Sequence, residues 1–190
     1  AGANISNVDF SATNLVNVKS GGTTGPPARL PAPFVFMTDN SFGGFIVGPR
    51  VDLSGANLTN CRFTGLDISG ATFTNTILTN VKSGGGMNGP PAAGTLPARY
   101  RFVVDTADGT GGYIVGPGVD LSGASLRNLT GGELNGAHFT NANLSSARLS
   151  GSGLLNVKSG GITGTPASLP TQYAFIVSAS GGYIIGPSAD

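Results

Sequence analysis

The stretch Val51-Asp52-Leu53-Ser54-Gly55-Ala56-Asn57-Leu58-Thr59-Asn60-Cys61-Arg62-Phe63 decides the fold, and its metre continues to Asn80. Large apolar residues stand five apart at Leu53, Leu58, Phe63, Ile68, Phe73 and Leu78. Two residues before each sit Val51, Ala56, Cys61, Leu66, Ala71 and Thr76, most of them small. A helix repeats every ~3.6 residues and a strand every two, so neither produces a period of five. A helix would scatter these positions around its surface, and the Gly and Asn content opposes one as well.

The same metre recurs on both sides. Ile5, Phe10 and Leu15 are preceded by Ala3, Val8 and Thr13. A third run begins Leu121, Leu126, slips, and resumes as Leu129, Leu134, Phe139, Leu144, Leu149 and Leu154. A coil with four five-residue faces per turn accounts for the pattern. Each face sends one large and one small residue inward, and successive coils stack at strand spacing, about 4.8 Å. Leu and Phe then pile into columns, Ala-type residues fill the corners, and Asn, Thr, Ser and Gly point out.

Ala56-Asn57-Leu58-Thr59-Asn60 and Ala142-Asn143-Leu144-Ser145-Ser146 both read Ala-(Asp/Asn)-Leu-x-x. This resembles the pentapeptide-repeat family over three runs of the chain. The resemblance implies an all-β fold, a right-handed quadrilateral β-helix. The slip between Leu126 and Leu129 departs from the family pattern.

A longer repeat is superimposed. Asn-Val-Lys-Ser-Gly-Gly occurs at 17–22, 80–85 and 156–161. Gly-Gly-(Phe/Tyr)-Ile-(Val/Ile)-Gly-Pro occurs at 43–49, 111–117 and 181–187, with Leu-Pro between the two blocks at 30–31, 96–97 and 169–170. The chain is thus expected to be a single solenoid of three units, approximately 1–50, 51–118 and 119–190. In the third insertion, Tyr173-Ala174-Phe175-Ile176-Val177 and Gly181-Gly182-Tyr183-Ile184-Ile185 flank a short turn and read as a β-hairpin. All four Tyr and six of the ten Phe lie in the insertions, which predicts an aromatic mini-core beside the coil. The Gly-Pro that follows turns the chain back into frame. Interruptions of this kind resemble those of large secreted or surface proteins of bacteria.

Composition narrows the function. Ten Lys and Arg face nine Asp and Glu, for a net charge of +1, and only 10% of residues are charged. Such a chain has no general pull toward nucleic acid or anionic lipid. DNA mimicry and gyrase inhibition, a role of some pentapeptide-repeat proteins, wants a strongly acidic rod and ranks last. No apolar run approaches the roughly 18 residues of a membrane span. One Cys and one His cannot build a multi-ligand zinc site or an internal disulfide framework.

No catalytic residues, metal ligands or cofactor site are expected, and the chain reads as a non-enzyme. Cys61 sits in the inward small slot as a compact hydrophobe, a full unit away from His138, which reads as outward. Asp9, Asp52, Asp67 and Asp120 fill the outward slot of the motif, and the other acids, Asp39 and Asp108 among them, show no dyad or calcium-loop spacing. Lys19, Lys82 and Lys158 recur once per unit and read as guards against sideways strand pairing. Asn4, Asn57, Asn128 and Asn143 head Asn-x-Ser/Thr sequons, a by-product of the motif's spelling, and are the candidate glycosylation sites.

Solenoids ordinarily carry polar caps, and none is read here. Gly186-Pro187-Ser188-Ala189-Asp190 reaches the counterpart of Asp52, while Ala1-Gly2-Ala3-Asn4-Ile5 enters at the counterpart of Ser54. A second molecule placed after the first continues the frame with one Leu missing. The expected role is therefore that of a structural protein, the subunit of a filament built by head-to-tail stacking, a heterologous contact that does not close. The expected interface is Ala1, Ala3, Ile5 and Phe10 against Tyr183, Ile185, Pro187 and Asp190, with another copy of the chain as the main partner. The alternatives are a surface adhesin that binds glycans through its aromatic insertions, and a segment of a longer secreted repeat protein. The Ala-Gly-Ala opening resembles a chain after signal-peptide removal, which places it outside the cell or on its surface.

Overall fold

The computed structural model describes residues 2–38, 41–105 and 111–190. Ala1, Asp39 and Asp108 lie outside the described residues.

The turns come first. Ala56 donates its amide to Leu53 O at 3.0 Å, and Cys61 to Leu58 O at 2.9 Å. Each such turn holds one residue in the left-handed region, spaced by five: Gly55 (φ 73°), Asn60 (65°), Gly65 (72°), Gly70 (67°), Asn75 (58°) and Asn80 (53°). Gly adopts that conformation without a Cβ clash and Asn tolerates it, as the third position of a type II turn requires. The outward Asp/Asn slot secures the same turn from outside. Asp52 Oδ1 accepts the Ser54 amide at 2.8 Å, and Asp67 Oδ1 accepts the Ser69 amide at 2.9 Å.

The corners bend the chain into a coil. Parallel bridges join Asp52 to Thr72, Asn57 to Ile77 and Arg62 to Lys82, each twenty residues apart. Four five-residue units therefore separate one rung from the next. The ladder is carried by bonds such as Leu58 N to Ile77 O at 2.9 Å and Ile77 N to Ala56 O at 3.0 Å. The core is the inward set that the period of five selects: Leu53, Leu58, Phe63, Ile68 and Phe73 are all fully buried. Phe63 and Phe73 meet edge to face with centroids 5.9 Å apart. Cys61 is a buried thiol in the small slot.

Six strands form three antiparallel hairpins: β1 (Val35–Met37) with β2 (Phe45–Val47), β3 (Arg101–Val104) with β4 (Gly112–Val115), and β5 (Ala174–Ser178) with β6 (Gly181–Ile185). The described residues contain no helix. The architecture is all-β, with coils in parallel register interrupted by hairpins.

Two expectations need correction, and the path of the insertions comes first. Each insertion begins by following the coil, for Asn4 bridges Thr24 and Asp9 bridges Arg29. Their first ten or so residues continue the winding, and only the hairpin departs from it.

The hairpins also do more than add a core beside the coil, since the second strands of the first two lie between stretches of it. All of β2 and β4 is buried. In β4, Ile114 joins the core of the second unit, whereas Tyr113 and Val115 join that of the third. Nine aromatic rings hold these strands in place, each laid on a glycine. A Cβ on Gly112 would come within 2.5 Å of the Phe102 ring, one on Gly116 within 2.3 Å of Tyr100, and one on Gly84 within 2.1 Å of Tyr113. Equivalent contacts pair Phe36, Phe34 and Phe45 with Gly44, Gly48 and Gly21, and Phe175, Tyr173 and Tyr183 with Gly182, Gly186 and Gly160.

The slip falls one corner later than expected. Bridge spacing shortens to eighteen at Asp120–His138, Ser125–Asn143 and Thr130–Arg148, then returns to twenty at Glu133–Gly153. The two missing residues are therefore lost between Thr130 and Glu133. Leu129, expected in the large column, fills the small slot, and Gly131 stands in the large one. Arg101 of β3 reaches this corner, where its Nη2 donates to the carbonyls of Thr130 and Gly131.

Candidate functional site

Two places inside the chain show how one unit passes to the next, and the third hairpin presents the same construction with its outer side open. At the first junction Asp52 donates its amide to Val18 O at 3.0 Å, and at the second Asp120 donates to Val81 O at 2.9 Å. A lysine clamps each from outside. Lys19 Nζ donates to Ser54 Oγ at 2.8 Å and lies 3.8 Å from Asp52. Lys82 Nζ donates to Ser122 Oγ at 2.6 Å and lies 3.5 Å from Asp120. Lys19 and Lys82 are thus junction clamps. The expectation that the recurring lysines guard sheet edges did not include the Asp-x-Ser that follows each of the first two hairpins.

Charge follows geometry at these clamps. Burial alone would raise Asp120, but the hydroxyl and amide of Ser122 and the charge of Lys82 outweigh it and hold the carboxyl below its ordinary value. Asp52 is lowered by the Ser54 hydroxyl and amide, with a smaller pull from Lys19. Asp9 is lowered by the hydroxyl and amide of Ser11.

At the third junction Asp190 donates to Val157 O at 2.9 Å and accepts from Ser159 N at 2.9 Å. Asp190 therefore shares the backbone register of Asp120 at its junction. The hairpin beneath differs in exposure. On the first two, the side chains facing the following unit are covered: Phe45 is 3% exposed, Val47 1%, Tyr113 5% and Val115 1%. On the third, Ile184 is buried in the core of its own unit, while Tyr183 is half-buried and Ile185 is 45% exposed. The alternation of a strand puts Tyr183 and Ile185 on one side. Pro187 and Asp190 are exposed close by.

The opposite end of the stack is the first coil. Its frame matches that of 54–63, yet its inward residues are less covered. Ile5 and Phe10 are half-buried and Ala3 is exposed, where the counterparts Leu58 and Phe63 are fully buried. Each half of the expected interface is thus gathered at its own end, apart from Ala1.

The other candidates disperse. Asn4 and Asn128 are exposed, and Asn57 and Asn143 half-buried. The side-chain oxygens of Asn4, Asn57 and Asn143 accept the amides of Ser6, Thr59 and Ser145. His138 is half-buried on the rung between Asp120 and Lys158. Among the described residues no three His, Cys, Asp or Glu side chains gather as metal ligands do, and no helix is long and apolar enough to cross a membrane.

Nine aromatic rings of the insertions are engaged inside the fold, whereas Phe42 is 51% exposed. Besides their glycine contacts, Tyr100 Oη donates to Pro117 O at 2.8 Å and Tyr173 Oη to Pro187 O at 3.0 Å. Burial raises Tyr100 above the ordinary tyrosine value.

A coil with one left-handed Gly or Asn per five residues, and with bridges between residues twenty apart, is the architecture of a repeat protein. The family model for pentapeptide repeats matches residues 50–81 and 118–154 in eight copies, and these stretches are pentapeptide repeats. The first coil and the hairpins lie outside the match. No match was found among curated proteins or among solved structures.

Proposed function

We propose that the chain is a structural protein whose coils, wound as a right-handed quadrilateral β-helix, stack end to end into an extracellular filament. One observation carries this reading. The face of β6 is half-buried at Tyr183 and exposed at Ile185, although the same face of β2 and β4 is buried under the coil that follows. What covers it in the first two units is a stretch that opens Ser-Gly-Ala-(Asn/Ser)-Leu, and Gly2-Ala3-Asn4-Ile5 carries that frame. A second copy of the chain is the occupant.

Covering an apolar strand face contributes about 25 cal/mol per Å² of surface removed from water, and low net charge adds little repulsion between copies. Nine of the rings pack on glycines of the hairpins and coil, which favours a structural role over a glycan-gripping one, although Phe42 is 51% exposed. The reading is non-catalytic, and a single buried thiol suits an oxidising compartment.

Negative-stain electron microscopy of the purified 190-residue chain, across a concentration series, tests the proposal. Unbranched filaments one molecule wide are expected. Monodisperse particles at the highest concentration contradict it.

A further inference from the structure

We infer that the Tyr183 hydroxyl sets the register of this assembly by accepting the backbone N–H of Asn4 from a second copy of the chain, an inference that rests on the end-to-end reading above. The template is internal. Tyr113 occupies the same place on the second hairpin, and its Oη accepts the Ser125 amide at 2.9 Å while lying 3.0 Å from Asp105 Oδ2. The hydroxyl proton goes to the carboxylate, and an oxygen lone pair is left for the incoming coil. Tyr183 has a hydroxyl in place of the carboxylate: its Oη lies 2.9 Å from Ser180 Oγ, within a chain that continues to Ser178 Oγ at 2.9 Å, and when Tyr183 donates along that chain a lone pair is again left.

The donor follows from the ladder. Ser125 faces the preceding hairpin because its neighbours bond the following coil: Leu126 N donates to Asn143 O at 2.8 Å, and Ala124 O accepts from Asn143 N at 2.8 Å. Asn4 has the same surroundings. Ile5 N donates to Thr24 O at 3.0 Å and Ala3 O accepts from Thr24 N at 2.9 Å, so the Asn4 amide faces away from the second coil. Asn4 is also the residue that the Ser125 position reaches when the frame is continued past Asp190.

Register fixes rotation as well. Lys19, Asp52 and Thr72 share one column, and Lys82, Asp120, His138 and Lys158 share another. Asp52 precedes Arg62, the rung partner of Lys82, by two faces of four, so the columns lie half a turn apart. Asn4 stands one face past the first column, through its bridge to Thr24, whereas the site that receives it stands one face past the second. The seated copy is rotated by about half a turn, plus whatever drift the coil carries per rung.

Substituting Tyr183→Phe removes the acceptor together with its exposed bond to Ser180, and Phe45 occupies this position in the first hairpin, so the chain already folds with that ring. Polymerisation of the unmodified chain, Tyr183→Phe and the internal control Tyr113→Phe is compared by sedimentation over a concentration series, with circular dichroism to verify the fold. The expected result is a critical concentration raised about fivefold for Tyr183→Phe, as the loss of one net hydrogen bond implies, and unchanged for Tyr113→Phe. Filaments from the unmodified chain with equal critical concentrations for Tyr183→Phe and wild type overturn the Tyr183 assignment and leave the assembly reading standing. No filaments from the unmodified chain overturn both.

Discussion

The amide of Asp190 donates to the carbonyl of Val157 at 2.9 Å, as Asp120 does to Val81 and Asp52 to Val18. In the two earlier cases the carboxylate that follows the hairpin also meets a lysine, and the next coil is laid on the hairpin's outer side. The third case repeats the backbone geometry and leaves that side exposed at Ile185. The proposed assembly would reuse a junction that the chain makes twice within itself.

Ile185→Lys places a charge at the centre of the proposed seam. Ile185 is already 45% exposed, so the isolated chain loses little, and its thermal midpoint is expected to change by only a degree or two. Seated under a second copy, the lysine must be desolvated without a partner. The critical concentration should rise by at least about tenfold, as read by sedimentation.

Gly112→Ala isolates the ring-on-glycine contact, because Gly112 needs no left-handed backbone. The added methyl meets the Phe102 ring and the Val103 carbonyl, each at 2.5 Å. Overpacking of a buried strand costs about 1–3 kcal/mol. In a chain of this size that lowers the midpoint by about 3–10 °C, measurable by circular dichroism.

Arg101→Met keeps much of the stem and removes the donors to Thr130 and Gly131. Hydrogen exchange at the amides of 129–133 should quicken, while exchange in 56–80 stays unchanged. The global loss is about 1–2 kcal/mol for charge-assisted bonds to carbonyls.

Acid should weaken the chain. Asp9, Asp52 and Asp120 are all held below their ordinary value of 3.8 in the fold. A carboxylate depressed on folding contributes stability above its unfolded value, and that contribution is lost as pH falls through the folded value. The midpoint should hold steady from about pH 7 to 5 and decline below about pH 4. Asp120→Asn, which gives up the Lys82 pair, should reduce the acid-dependent part of the decline in a pH series of melts.

Much of the fold was legible because each five-residue unit writes its own turn. Gly or Asn at the left-handed corner, Asp or Asn capping it and a large apolar residue inside are local requirements, so they appear in the sequence as a period. The position of the hairpins was less visible. Phe45-Ile46-Val47 and Tyr113-Ile114-Val115 are continuous apolar runs, a sign of burial on both faces, but what covers them is brought there by the winding of the coil, as Ser125 is to Tyr113. The corner at Gly131 was misplaced because Leu129 fits either inward slot by size, and only the rung partner Arg148 distinguishes them. The lysine clamps required knowing that Lys82 and Asp120, thirty-eight residues apart, share a rung.

Helical reconstruction of the filament by electron cryomicroscopy tests the central claim most directly. The account predicts a single column of subunits with continuous coil density across the seam and successive subunits rotated by about half a turn. Subunits joined side by side, or an end-to-end seam with successive subunits unrotated, would contradict it.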